Sequence, residues 1–181
     1  GSIPIGIAGL LLKDFVESTL RTPMVMGSML IAVALVMELA DRAGRQHKGI
    51  DHVSMIDTIA IGFAQVLALV PGTSRSGITI SAGLFRNLDR PTAARFSFLL
   101  ATPAVAAAAA KAFYDLSKQG GIPAELRVHL VVGIAVSAIS GCFAIHVLIN
   151  HLKRHSLRFF VHYRIILGII VIALAFRYPA E

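Results

Sequence analysis

The sequence predicts an all-α, polytopic membrane helix bundle that contains a re-entrant broken helix. Three observations lead there. Hydrophobic residues make up 56% of the chain and the mean hydropathy is +0.75, a composition typical of integral membrane proteins. Stretches at about residues 24–40, 91–114, 125–149 and 160–177 are apolar over lengths near the ~20 residues that cross a core of about 30 Å. Between residues 58 and 87, two apolar segments too short to cross are separated by the polar run Pro71-Gly72-Thr73-Ser74-Arg75-Ser76.

Taken in order, residues 3–19 read as a partial or interfacial helix, apolar through Leu12 and then carrying Lys13, Asp14 and Glu17. Thr22-Pro23 breaks the chain and places proline to open the next helix. The first span ends with Glu38, expected to reach water or pair with Arg42 rather than act in catalysis. Residues 41–56 form a charged loop in which His47 and His52 lack a recognised metal-ligand spacing. Ser54 or Asp57 can cap the first broken segment. Beyond the polar run, Asp89-Arg90-Pro91 supplies a cap and first turn for the second span, and Ala104–Ala110 gives that span a small-residue face. Gly120, Gly121 and Pro123 mark a loop. The third span carries Gly133, Ser137 and Gly141 at four-residue spacing, a stripe for close helix approach. His151 and His155 share a helix face but have no third ligand nearby. With Lys153, Arg154, Arg158, His162 and Arg164 they read as a basic belt beside lipid headgroups. The whole chain reads as one membrane domain.

A net charge of +7 would suit nucleic acid, but the cations sit in loops and at helix ends, which points instead to anionic lipid surfaces. No nucleic-acid partner is expected. The lone Cys142 forms no internal disulfide, and no signal peptide is expected. If residues 58–87 are re-entrant, the loops at 41–56, 86–90 and 153–164 share one face and hold most of the Lys and Arg. That face is then cytoplasmic and the C-terminus lies outside.

The polar run carries the function. Held at mid-depth, Arg75 is costly by at least ~2.5–3.5 kcal/mol unless it meets an anion, and its planar fork suits a phosphate. Thr73, Ser74, Ser76 and Thr79 add hydroxyls, and a helix resuming near Ser76 would aim free N–H groups at the same place. Gln65 lies close enough to orient a phosphate oxygen or to satisfy a backbone group. Arg95 can snorkel outward or supply a second phosphate contact. The bland alternative is a polar turn at the membrane surface. No Gly-Lys-Ser/Thr ending follows the loop, so nucleotide hydrolysis is poorly supported. A lipid diphosphate suits the site, its tail lying between helices and its head at Arg75. Ser74 is a candidate nucleophile or positioning hydroxyl with Thr79 as a hydrogen-bond partner, but neither Asp nor Glu occurs between Thr58 and Leu88 to act as acid or base.

Pro71, Gly72, Ser74, Arg75, Ser76 and Thr79 match the PGxSRSxxT motif of the undecaprenyl pyrophosphate phosphatases, the bacitracin-resistance proteins, which the chain resembles over nearly all its length. Gly62-Phe63-Ala64-Gln65, Arg95 to Leu100 and Tyr163-Arg164 agree in character. The resemblance implies part of an inverted-repeat architecture in a bacterial inner membrane. It implies hydrolysis of undecaprenyl diphosphate to the monophosphate for cell-wall carrier recycling, with Ser74, Arg75 and Thr79 as functional residues and Gly72, Thr73 and Ser76 beside them. A divalent cation, Mg2+ or Ca2+, is implied too, but the family's first motif, a Glu-rich ExxxE segment that engages it, has no counterpart here. The chain is therefore expected to be a fragment or a short form that needs a missing N-terminal repeat or a second copy, and to be nearly inactive alone. The rival expectation is a protein that binds or translocates lipid phosphates without hydrolysis; a purely structural subunit is a third.

Overall fold

The computed structural model describes residues 1–118, 121 and 124–177. The loop positions Gly120 and Pro123 lie outside the described residues, as do the side chains of Lys13, Asp14 and Glu17. The described residues form helices α1 (Ile3–Thr19), α2 (Pro23–Ala43), α3 (Met55–Ala64), α4 (Arg75–Phe85), α5 (Arg90–Lys118), α6 (Ala124–Leu152) and α7 (Arg158–Arg177), with no named strand. A 3-10 stretch, Gln65–Leu69, extends α3, and another turn occupies Ile50–His52. Four helices, α2, α5, α6 and α7, are long and apolar enough to span a membrane, so the protein is an all-α, multi-pass membrane bundle.

Local chemistry sets the helix starts. Thr22 caps α2 by accepting the N–H of Val25 at 3.3 Å, with Pro23 in the first turn. Ser54 and Asp57 cap each other's backbone at the start of α3, a reciprocal capping box. Asp89 Oδ1 accepts the N–H of Thr92 at 2.7 Å, which opens α5. Each device satisfies donors that a helix start leaves without partners.

The hairpin α3–turn–α4 goes in and comes back. Its two ends meet: Arg86 Nε donates to Asp57 Oδ1 at 2.7 Å and Lys48 Nζ reaches Asp57 Oδ2 at 3.3 Å. The loop before α3 docks there through Asn87, whose carbonyl accepts the N–H groups of His47 and Lys48 at 3.2 and 3.0 Å. A second buried carboxylate, Asp41 at the end of α2, accepts from Arg90 Nε at 2.5 Å and from the Leu157 N–H at 3.3 Å, tying α2 to the starts of α5 and α7. Loops 44–54, 86–90 and 153–157 thus share one charged face. Glu38 pairs with Arg42 at 2.6 Å, as its spacing predicts, and with Arg158 at 3.6 Å.

The core lies where α4 is held between α2 and α5, with Val33, Ala34, Met37, Ile80, Leu84, Ala93 and Ala94 buried together. The most extensive helix–helix contact among the described residues is between α2 and α7. A Cβ on Gly27 would stand 3.0 Å from the Gly168 carbonyl oxygen, and one on Gly168 would stand 2.9 Å from that of Gly27. Small residues give such contact because lipid offers no hydrophobic drive for helix association. Among the described residues the expected stripe on α6 has no partner: Gly133 and Gly141 have nothing within 4 Å of an added Cβ, and Cys142 is exposed on the same helix.

Candidate functional site

The turn between α3 and α4 is built around Gly72. Its φ of +88° is a conformation L side chains rarely adopt, and an added Cβ would strike the backbone of Met26 on α2. The tip of the hairpin is thereby seated against α2. Ser74 then caps α4: its hydroxyl accepts the Gly77 N–H at 3.1 Å, and its carbonyl accepts the Ile78 N–H at 3.0 Å. The N–H groups of Arg75 and Ser76 remain at the helix start for a ligand, where the helix dipole favours an anion. From the charged face, the 11 residues of α4 rise about 16 Å to this helix start.

A cavity of about 200 Å³ opens beside it, lined by Ser74, Ser76 and Gly77 from α4, Met37 from α2, Leu148 and Leu152 from α6, and Phe160, Tyr163 and Arg164 around the start of α7. Arg164 is only 9% exposed. One of its terminal nitrogens donates to the Gly72 carbonyl at 3.1 Å, while its Nε is buried with no hydrogen-bond partner. Thr73 Oγ1, next to Ser74, is also buried without one. Unpaired buried polar atoms of this kind cost on the order of 1–3 kcal/mol each, and they cluster where the helix start has N–H groups to spare. The site is a phosphate-sized space with donors on two sides.

The structure distributes the sequence-predicted residues unevenly. Ser74 and Ser76 lie 3.3 Å apart, hydroxyl to hydroxyl, in the cavity wall. Gly72 and Thr73 form the turn beneath it. The buried guanidinium expected at residue 75 is instead that of Arg164: the Arg75 side chain is exposed on the chain's surface, although its neighbours are half-buried or buried, so the turn is not an ordinary surface bend. Thr79 is not brought to Ser74. Its hydroxyl is buried against α5, 2.7 Å from Ser97 Oγ and 2.8 Å from the Arg75 carbonyl, and so pins α4 to α5. Gln65 is buried in the 3-10 stretch and Arg95 is exposed on α5; neither lines the cavity.

Arg164, which the sequence reading placed in the basic surface belt, and Tyr163, which it noted with Arg164 only as agreeing in character with the family, are the site residues it did not assign to the site. The signal available was position: Arg164 is followed at once by the uncharged run Ile165–Phe176, where a cation needs a partner. Among the described residues no three His, Cys, Asp or Glu side chains come together. The cavity wall has hydroxyls and a guanidinium but no carboxylate, so these residues do not fit Mg2+ or Ca2+, which take anionic and carbonyl oxygens.

A fully buried acid, Asp57, lies at the hairpin's other end. Burial pushes the Asp57 carboxyl up, but hydrogen bonds from the Ser54 N–H, Arg86, the Ser54 hydroxyl and Lys48 outweigh it and hold the group well below the usual carboxylate range.

Comparison with known proteins finds relatives over most of the chain. The chain is 44% identical over 179 residues to the undecaprenyl-diphosphatase of Chlorobaculum parvum, covering 95% of this chain and 64% of that protein. It is 43% identical over 176 residues to that of Thermodesulfovibrio yellowstonii, with 97% and 67% covered. For that of Corynebacterium striatum the identity is 42% over 174 residues, with 96% and 62% covered. The chain therefore spans 62 to 67% of the length of these relatives. The profile of the bacitracin resistance protein BacA matches residues 1–170, and the chain belongs to that family.

Proposed function

We propose that this chain supplies the phosphate-holding part of a phosphatase acting on undecaprenyl diphosphate, in a bacterial inner membrane with the charged loop face cytoplasmic and the C-terminus outside. The observation that carries this reading is the Arg164 guanidinium, buried beside the α4 helix start with its Nε unpartnered. A diphosphate head seated there would take charge-assisted hydrogen bonds from Arg164, from the N–H groups of Arg75 and Ser76, and from the hydroxyls of Thr73 and Ser76. Arg75 stands close enough in sequence to close over the head from the exposed side. The undecaprenyl-diphosphatase activity for which the relatives are named and the family match over residues 1–170 support the substrate.

In this chain Ser74 is a positioning hydroxyl. Its oxygen already accepts from Gly77, and its other contact is Ser76; no base touches it, and an unactivated serine is a weak nucleophile. The divalent cation implied by family likeness would take its ligands from residues outside this chain, contributed by a missing repeat or a second copy. The missing base also favours a second reading, headgroup binding or translocation without hydrolysis. Phosphate release and pyrophosphate binding separate the two. Under the phosphatase reading, release from undecaprenyl diphosphate appears once the chain is joined to the N-terminal third of a relative, and Ser74→Ala abolishes it there while leaving pyrophosphate binding within a few-fold. Tight binding with no release in that joined protein would favour the second reading. Release at the full-length rate by this chain alone would refute the idea that its site is partial.

A further inference from the structure

On the faces of α2 and α7 turned away from the candidate site lies a second cavity, of about 400 Å³, which shares no lining residue with the first. From α2 come Leu35, Glu38 and Arg42, and from α7 Arg158, Val161, His162 and Ile165. Both sets recur at spacings of three and four residues, so each is one face of its helix. The wall is graded from charged to apolar. Arg42 stands in the last turn of α2 and Arg158 opens α7, both at the charged loop face. Leu35 and Ile165 lie about 10 Å farther along their helices, towards the apolar middle of each span.

The charges of this cavity do not balance. Both guanidiniums lean on one oxygen of Glu38, Arg42 Nη2 at 2.6 Å and Arg158 Nε at 3.6 Å, so a single carboxylate meets two cations and one positive charge is left over. The two arginine side chains remain 67% and 62% exposed and keep donors for a further anion. Glu38 Oε2 is buried with no hydrogen-bond partner among the described residues. His162 Nδ1 is 2.7 Å from the Arg158 carbonyl oxygen, which can only accept. Nδ1 therefore carries a proton, and Nε2 is the nitrogen left for a ligand.

We propose that this cavity binds an anionic phospholipid of the surrounding bilayer, of the phosphatidylglycerol type. Its phosphodiester sits between Arg42 and Arg158, its glycerol hydroxyls meet Glu38 and His162, and an acyl chain runs down Leu35, Val161 and Ile165. Charge balance selects the class, because a monoanionic phosphodiester cancels the surplus charge whereas a choline lipid brings a cation of its own. Guanidiniums take phosphate oxygens in charge-assisted pairs, and cations at the membrane surface draw anionic lipid. The graded wall selects a lipid over a soluble phosphate, which would leave the apolar end unfilled. A lipid seated there joins α2 to α7, the helices whose packing brings Arg164 to Gly72. The proposal stands apart from the reading of the candidate site and needs only the multi-pass fold.

The test titrates the detergent-purified chain with dioleoylphosphatidylglycerol or its choline analogue and counts bound lipid by native mass spectrometry. Phosphatidylglycerol is expected to be retained at concentrations where the choline lipid is not. Arg42→Gln and Arg158→Gln should each weaken that binding about fivefold, and the pair about twentyfold or more, since a cation at the membrane surface is worth roughly a factor of five. Lys153→Gln with Arg154→Gln removes as much charge from the same loop face without touching the cavity, and should leave binding at the wild-type level. Leu35→Trp fills the apolar end from a position already 53% exposed. It should weaken binding at least fivefold with an unaltered melting temperature, which keeps the test decisive where an arginine variant fails to fold. The proposal is overturned if the choline lipid is retained equally or if the Lys153 and Arg154 pair lowers binding as much as the cavity pair, which would mean diffuse attraction. It also falls if glycerol phosphate displaces the lipid, or if Leu35→Trp binds like wild type.

Discussion

The two ends of the α3–α4 hairpin treat buried polar groups in opposite ways. At the base, Asp57 is fully buried and each carboxylate oxygen is occupied: Oδ1 by Arg86, Oδ2 by Lys48, the Ser54 hydroxyl and the Ser54 N–H. At the tip, Thr73 Oγ1 and Arg164 Nε are buried and have no hydrogen-bond partner among the described residues, beside a helix start whose first N–H groups lie beyond the reach of intrahelical acceptors. The base is complete within the chain and holds the hairpin closed. The tip is incomplete in a way that an anion would complete. Since an unpaired buried polar group is destabilising, a site that keeps two of them together is organised for a ligand and not for the stability of the empty protein.

Breaking the base should have the largest effect on stability. Asp57→Ala removes the capping box and leaves Arg86 and Lys48 without their shared anion, and is expected to cost about 3 kcal/mol, read from denaturation in detergent. Next comes the seat of the tip. Gly72→Ala forces a side chain into positive φ and against the Met26 backbone, for a loss of about 2 kcal/mol with the base contacts intact. Ser74→Ala, which removes only the α4 cap, should cost about 1 kcal/mol. If it instead unfolds the protein, Ser74 has a structural role that the geometry does not account for. The smallest effect is in pH. Because Asp57 is held below the unfolded value of about 3.9, the unfolded state takes up its proton first and stability falls with pH in that range. The Asp57 contribution is therefore constant from neutral pH down to about 4 and is lost in stronger acid. The stability gap between wild type and Asp57→Asn should narrow only there, and a gap that closes at pH 6 would contradict the assignment.

The caps at the base were readable in the sequence because their chemistry is local, whereas the pairing of Asp57 with Arg86, 29 positions on, was not. Ser54 and Asp57 are three residues apart, as are Asp89 and Thr92, and hydropathy alone located the four long helices. The tip's own residues were readable too, since Gly72, Thr73, Ser74 and Ser76 are consecutive or nearly so. What escaped was the partner across space. Arg164 follows the tip by some 90 positions and sits in a run of basic residues, so its charge read as interfacial; only the α2–α7 packing turns it inward to Gly72. The same packing explains why Arg75 was assigned the buried position. Sequence places it at mid-depth but cannot say which side of the helix start faces the chain's interior. The Gly27–Gly168 contact was missed for a related reason: a lone glycine in each helix makes no stripe, whereas the stripe at Gly133, Ser137 and Gly141 is conspicuous and has no partner within this chain.

Binding of inorganic pyrophosphate to the purified chain, compared between wild type, Arg164→Ala and Arg75→Ala by calorimetry, tests the central claim most directly. The tip account predicts that Arg164→Ala weakens binding at least tenfold, since a charge-assisted hydrogen bond is worth about 1.5–3 kcal/mol, and that Arg75→Ala has the lesser effect. Equal affinity in wild type and Arg164→Ala would mean that the unpaired guanidinium is not an anion site.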